Sequence, residues 1–235
     1  MKVFARTDIG LCRASNQDSL LVQDGKYGLF GVADGMGGHN AGDVASQTAV
    51  RMLGRVLAGA KPDETLLRAA IEEVNALIFE EQKKDVSLSG MGTTLTVLWE
   101  DEDRVLLGHV GDSRAYLMRG GKLSQISRDH SLVGEMLREG LITREQAKTH
   151  PYRNVITRAV GTAEEVEADL LSLDKKAGDR FLLCSDGLTE YADEAALQSV
   201  LENTSGEEAV ETLMRLALQG GGQDNITVLL AEVEA

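Results

Sequence analysis

The sequence predicts an α+β fold, a mostly antiparallel β core with helices packed outside it, and two observations carry that reading. Strand-like runs arrive in clusters and helices in consecutive pairs, so the strand–helix alternation that builds a doubly wound parallel sheet is missing. Two of the links between successive strand runs, "EDED" at 100–103 and "GG" at 120–121, are short enough for antiparallel hairpins.

The first strand runs are "KVFARTD" (2–8), "SLLVQD" (19–24) and "YGLFGVAD" (27–34), short, partly β-branched or aromatic, and punctuated by Gly and Asp. A helix over 41–59 follows, with Val44, Ala45, Ala49, Met52, Leu53, Val56 and Leu57 at helical spacing. The second helix, 63–84, carries the stripe Leu66, Leu67, Ala70, Ile71, Val74, Leu77 and Ile78 behind the start signal Pro62-Asp63. Strands resume at "TTLTVLWE" (93–100), "RVLLGHVG" (104–111), "RAYLMRG" (114–120) and "KLSQIS" (122–127). Residues 131–154 break the pattern with two short helical stretches, "SLVGEMLREG" and "TREQAKTH", and then Pro151, a surface excursion and a candidate lid. Strands "VEADLLSLD" (166–174) and "DRFLLCSD" (179–186), helices over 193–203 and 206–219, and the strand "ITVLLAEVE" (226–234) complete the chain. No repeat, linker or low-complexity segment divides it, and 235 residues suit a single domain, 1–235.

A net charge of −14 with no local basic patch argues against nucleic acid and anionic membrane as partners. Cys12 and Cys184 are far apart and form no ligand-like pair, which points to a reducing, cytoplasmic setting. The start "MKVFARTDIG" lacks the apolar region of a signal peptide, and no apolar run reaches membrane-spanning length.

Certain aspartates stand out by position. "LFGVAD" ends in Asp34, "LLGHVGD" in Asp112 and "FLLCSD" in Asp186, each an apolar strand stopping at an Asp beside small residues. Asp224 in "GGQDNITVLL" and Asp18 in "NQDSLLV" stand where strands begin. One such Asp is ordinary turn chemistry. Repeated around antiparallel strands, the pattern brings five carboxylates toward one sheet edge, where they repel unless cations neutralise them. An all-oxygen set suits Mg²⁺ or Mn²⁺ better than Zn²⁺. The stretch "GVADGMGGH" lacks the Gly-Lys-Ser/Thr ending of a nucleotide-binding loop, so its glycines are read as close-approach positions, Gly35 presenting its carbonyl to a metal, or as a tight turn before the helix.

"NQD", "GVADGMGGH", "MGTTLTV", "GHVGDSRAYL", "SRDHSLV", "ITRAVG", "LLCSDGLTE" and "GGQDNITVLL" occur in this order, and with them the chain resembles the metal-dependent protein serine/threonine phosphatases of type 2C in their compact bacterial form. The resemblance runs from Asp8 to the last strand. It implies a four-layer α-β-β-α sandwich and a binuclear Mn²⁺ or Mg²⁺ site at one end. By the same resemblance Asp34 bridges the ions, Gly35 gives its carbonyl, Asp186 and Asp224 complete one ion, Asp18 acts mainly through water, and Asp112 serves a third, weaker ion. Arg13 matches the arginine that grips the substrate phosphate. A water shared by two ions would attack phosphorus in line, releasing phosphate from phosphoserine or phosphothreonine in proteins. The resemblance also implies a partner Ser/Thr kinase and a flap at about 131–154, and a monomer is expected.

One position departs from the eukaryotic pattern. Met36 stands where those members carry a histidine to protonate the leaving group. His39, three residues on, is a candidate donor, but a lone His in a glycine-rich turn is more often a surface or capping residue, so the general acid stays open. His109, His130 and His150 read as structural or surface residues.

Other chemistries fail on the sequence. A cysteine phosphatase needs Cys-x5-Arg, but Glu190 follows Cys184 at that spacing and Asp18 follows Cys12. The Asp-x-Asp of an aspartyl-phosphate hydrolase occurs at Asp101 and Asp103, in a hairpin turn. An inactive binding module with this fold would be free to lose metal ligands, and here Asp18, Asp34, Asp186 and Asp224 are all present. A phosphatase for small metabolites would share the same centre.

Overall fold

The computed structural model describes residues 1–38 and 41–234. Among them, one sheet runs in the order β1 (Lys2–Asp8), β11 (Ile226–Glu232), β10 (Arg180–Cys184), β7 (Arg114–Arg119) and β8 (Lys122–Gln125). The other runs β2 (Asp18–Gln23), β3 (Leu29–Met36), β5 (Leu95–Glu100), β6 (Arg104–Val110) and β9 (Asp169–Asp174), with the two-residue β4 (Gly92–Thr93) also paired to β3. Every described strand pair is antiparallel, as the clustered strands and hairpin turns predict.

Period-two alternation makes four layers of these sheets. In β10, Leu182 and Cys184 pack with Leu197, Leu213 and Met214 of the helices α6 (Glu194–Asn203) and α7 (Gly206–Gly220). Phe181 and Leu183 point the other way, to Phe30, Val32, Leu98 and Leu107 of the second sheet. In the second sheet Ala33, Leu95, Val97 and Trp99 face α1 (Ala41–Val56) and α2 (Glu64–Lys84). Each sheet is therefore apolar on both faces and needs cover on both, giving the order α-β-β-α. Each large core side chain such as Phe30 or Phe181 contributes about 1.5–3 kcal/mol by leaving water. The start of α2 falls where the sequence signal put it, with Asp63 accepting a hydrogen bond from Leu66 N at 3.0 Å.

Some strand limits differ from the sequence expectation. The third strand does not stop at Asp34 but runs to Met36, because Gly35 and Met36 pair with Thr93 and Gly92. The run at 93–100 is broken at Thr94, whose backbone and hydroxyl turn toward Asp34 instead of continuing the ladder. The run at 179–186 leaves the sheet at Cys184, and residues Asp186–Thr189 form a short helix, α5.

The stretch at 131–154 holds two short helices, α3 (Leu132–Arg138) and α4 (Arg144–Lys148). Ser131 caps the first and Thr143 with Gln146 forms a capping box on the second. Its two ends are tied together by Leu132 N to Val155 O at 2.9 Å and Thr157 N to His130 O at 2.8 Å. Three exposed ion pairs lay it against the region after Asp186: Arg144–Glu194 at 3.1 Å, Lys148–Asp193 at 3.9 Å and Arg153–Glu190 at 3.9 Å. No helix among the described residues is long and apolar enough to cross a membrane.

Candidate active site

The two sheets meet at one end through aspartates. Antiparallel pairing of β2 with β3 sets Asp18 directly opposite Asp34. Like charges in that arrangement destabilise a sheet unless something neutralises them. Asp186 opens α5 just after β10, and Asp224 precedes β11, the neighbour of β10. The first sheet reaches the second through hydroxyls: Ser185 donates to Asp18 Oδ2 at 2.8 Å and Thr227 donates to the same oxygen at 2.6 Å. Thr227 pairs with the Thr7 hydroxyl at 2.7 Å, and Asn16 donates to Thr7 at 2.8 Å. Asp34 is fixed by its backbone, donating its N–H to the Thr94 hydroxyl at 2.8 Å while its carbonyl accepts from Thr94 N at 2.9 Å. Thr94 also pairs with Ser113 at 2.8 Å, which joins the Asp34 strand to the segment bearing Asp112.

The electrostatics are those of crowded, poorly hydrated carboxyls. Burial, and then Asp186 and Asp224, push Asp18 up to about 7 despite its two hydroxyl donors. Asp34 is held well above the carboxylate range by burial first and then by Asp18, Asp186, Asp112 and Asp224. Asp112 is pushed up to about 8 by burial, Asp186 and Asp129. Asp186 rises to about 6 through burial and Asp224, with the Asp34 carboxyl within hydrogen-bonding reach lowering it in part. Asp34 therefore feels all four of the other sequence-predicted aspartates, and Asp18 feels Asp224 although the chain separates the two by some two hundred residues.

Cations fit this donor set. Asp18 Oδ1 and Asp186 Oδ1 are buried with no hydrogen-bond partner among the described residues. A bare buried acceptor costs about 1–3 kcal/mol, and more when charged. An oxygen-only surrounding suits a hard divalent ion. No three His, Cys, Asp or Glu side chains among the described residues are placed to hold one ion by themselves. Asp224 gives one oxygen to Arg13 at 2.6 Å and the other to Asn225 N at 2.8 Å. Binding here would draw on backbone oxygen and water beside carboxylates.

Gly35 sits at a backbone crossing. Its N–H donates to Gln17 O at 3.1 Å, and a Cβ there would stand 2.0 Å from Gly42 O and 2.6 Å from Gln17 O. Only glycine lets β3 pass the first turn of α1 at this distance, a packing reason for part of the glycine-rich stretch. Arg13 lies on the irregular loop between β1 and β2, half exposed, and its pairing with Asp224 strengthens its hold on the proton. His39 lies outside the described residues. His109 is buried between the Thr96 hydroxyl and Arg128 O, each 2.9 Å away, and burial pushes it down to about 4. His130 Nδ1 accepts from Gly111 N at 3.1 Å. His150 stays on the excursion, its Nδ1 accepting from Tyr152 N at 3.2 Å. Cys12 and Cys184 are both free.

Sequence reasoning missed Ser185, Thr227 and Thr94, which hold the aspartates. The available signal was their place beside "SD", after "DN" and in "GTT", but Ser and Thr next to a strand end are too common to single out.

The family model for protein phosphatase 2C matches residues 13–220. The serine/threonine phosphatase stp of Listeria monocytogenes serovar 1/2a is 43% identical over 237 residues, covering 97% of this chain and 94% of that protein. The serine/threonine protein phosphatase PstP of Mycobacterium tuberculosis is 42% identical over 236 residues, 99% of this chain and 45% of PstP, so the chain spans about half of that relative's length. A crystal structure of the PstP catalytic domain in complex with two manganese ions matches with a TM-score of 0.90 at 39% identity, over 100% of this chain and 98% of that one.

Proposed function

The chain belongs to the protein phosphatase 2C family, and from that premise we propose that it hydrolyses phosphoserine and phosphothreonine in proteins with the help of divalent metal ions. The observation that carries the reading is the convergence of Asp18, Asp34, Asp112 and Asp186, raised in pKa by burial and by neighbouring carboxylates, Asp224 among them, with Arg13 at their edge. Asp34, the Gly35 carbonyl, Asp186 and Asp224 would hold two Mn²⁺ or Mg²⁺ ions, with Asp18 acting nearby through water and Asp112 serving a third, weaker ion. Such ions, when bound, neutralise the phosphate dianion and make water nucleophilic at neutral pH.

The chain's own residues do the rest. Arg13 offers two parallel N–H donors to phosphate oxygens, a geometry lysine lacks. Ser185 and Thr227 hold Asp18, and Thr94 holds Asp34, so the carboxylates keep their places as charge changes at the site. The protonation of the leaving alkoxide is assigned to no residue, His39 being a candidate.

The whole chain acts as one catalytic domain, with 131–154 as a flap that selects phosphorylated protein segments. A Ser/Thr kinase supplies the substrates, the protein works as a cytoplasmic monomer, and the free Cys12 and Cys184 suit a reducing compartment. The test is phosphate release from phosphothreonyl peptides, sugar phosphates and p-nitrophenyl phosphate with manganese. Turnover that prefers peptides and is abolished by EDTA and by Asp34→Ala supports the reading. Metal binding with no turnover on any phosphoester rejects it in favour of a binding module.

A further inference from the structure

Asn225 has no role in the chemistry above, yet its buried side chain makes three hydrogen bonds into one loop. Nδ2 donates to Ile9 O at 2.9 Å and to Ser15 O at 3.0 Å, and Oδ1 accepts from Gln17 N at 2.8 Å. These contacts fall at both ends of the segment 9–17, which has no strand or helix of its own and bears Arg13. The loop is also held by Asn16 Nδ2 donating to the Thr7 hydroxyl at 2.8 Å, by the Arg13–Asp224 pair, and by Leu11 N to Gly222 O at 2.7 Å, beside Gly10, which adopts φ +78° with the site of a Cβ only 2.2 Å from Asp224 O. Gln17 passes the connection on, since its carbonyl accepts from Gly35 N.

We infer that Asn225 is a positioning residue: by pinning residues 9, 15 and 17 it sets where the Arg13 guanidinium stands to meet a phosphate monoester. The inference rests on the phosphatase reading of the site. An arginine on an unpaired loop grips phosphate well only if the loop is already in place, because ordering it during binding would consume affinity. The two arms of the amide have separate tasks. The donor arm holds the loop that carries Arg13, and the acceptor arm holds Gln17 and, through it, Gly35.

Asn225→Asp separates them, keeping an acceptor for Gln17 N while setting carboxylate oxygen against the carbonyls of Ile9 and Ser15. The experiment compares N225D, R13A and the double variant in the manganese-loaded full chain. It reads kcat and KM on a phosphothreonyl peptide, inhibition by inorganic phosphate, and amide hydrogen exchange over residues 10–16. N225D is expected to raise KM and the phosphate inhibition constant about ten-fold with kcat within about three-fold, and to speed exchange across the loop. In the R13A background the same change should move kcat/KM less than about two-fold, since the group it positions is gone. An equal loss in both backgrounds, or unchanged exchange at 10–16, overturns the inference. N225S, uncharged and too short to reach both carbonyls, passes through the same cycle and serves if N225D does not fold. A wild-type chain inactive on every phosphoester would refute the phosphatase reading instead, while exchange at 10–16 in the variants still decides whether Asn225 holds the loop.

Discussion

Asp34→Asn should make the metal-free protein more stable at pH 8 while removing its activity. Asp34 faces Asp18 across the β2–β3 ladder, has Asp186 within hydrogen-bonding reach, and feels Asp112 and Asp224. Directly opposed side chains lie about 5 Å apart, and two full charges at that distance repel by about 3 kcal/mol at an effective dielectric constant near 20. Proton uptake relieves part of this, so removing one charge is worth about 1–2 kcal/mol net, or about 2–8 °C in Tm for a chain of this size. The sign with pH follows from proton binding. Asp18, Asp112 and Asp186 titrate near 7, 8 and 6 in the folded chain, above the ordinary carboxyl value, so the folded state holds more protons than the unfolded one between about pH 4 and pH 8. Stability from this cluster is full below that window and is lost as pH rises through it. In EDTA the wild-type protein should therefore melt lower at pH 8 than at pH 5, and D34N should flatten the difference, gaining little at pH 5. Differential scanning calorimetry at the two pH values, with and without EDTA, reads all of this. A D34N protein that melts lower than wild type at pH 8, or that shifts equally at both pH values, refutes the reasoning.

Three further outcomes are expected. Arg13→Lys should lower kcat/KM on a phosphopeptide about ten-fold, because a lysine cannot form the paired N–H bonds, and an unchanged value would remove Arg13 from phosphate binding. Thr227→Val keeps the shape but takes one donor from Asp18 and one of the Thr7 hydroxyl's two contacts, leaving it only Asn16, so metal-free Tm should fall by about 2–6 °C; no change would mean that the hydroxyl chain does not hold Asp18. Raising NaCl to 1 M should screen the ion pairs Arg144–Glu194, Lys148–Asp193 and Arg153–Glu190, speeding hydrogen exchange at 141–154 while Tm moves by no more than about 2 °C. Salt-insensitive exchange there would show that other contacts hold the flap.

Much of the fold is legible because the periodicities are clean. The stripes of Val44 to Val56 and Leu66 to Ile78 become α1 and α2, Leu57 falling just past the end of α1, and the hairpin links at 100–103 and 120–121 join antiparallel pairs. The aspartates are legible for a related reason: an apolar run that ends in a charge marks where a strand leaves the core. Less legible is whatever depends on distant partners. The end of β3 moves from Asp34 to Met36 because Gly92 and Thr93, more than fifty residues later, offer it a ladder. Asp18 is held by Ser185 and Thr227, and no local pattern ties a hydroxyl in the last strand to an acid in the second. Asn225 shows the same limit, since its three partners fall within 9–17 of a chain it nearly ends.

The most direct test counts manganese ions bound by the full chain. Isothermal titration of the EDTA-stripped protein at pH 8 should give about two tight sites per chain, both lost in Asp34→Ala, since one carboxylate is taken to serve both ions. Binding that survives Asp34→Ala with its stoichiometry intact would contradict the account.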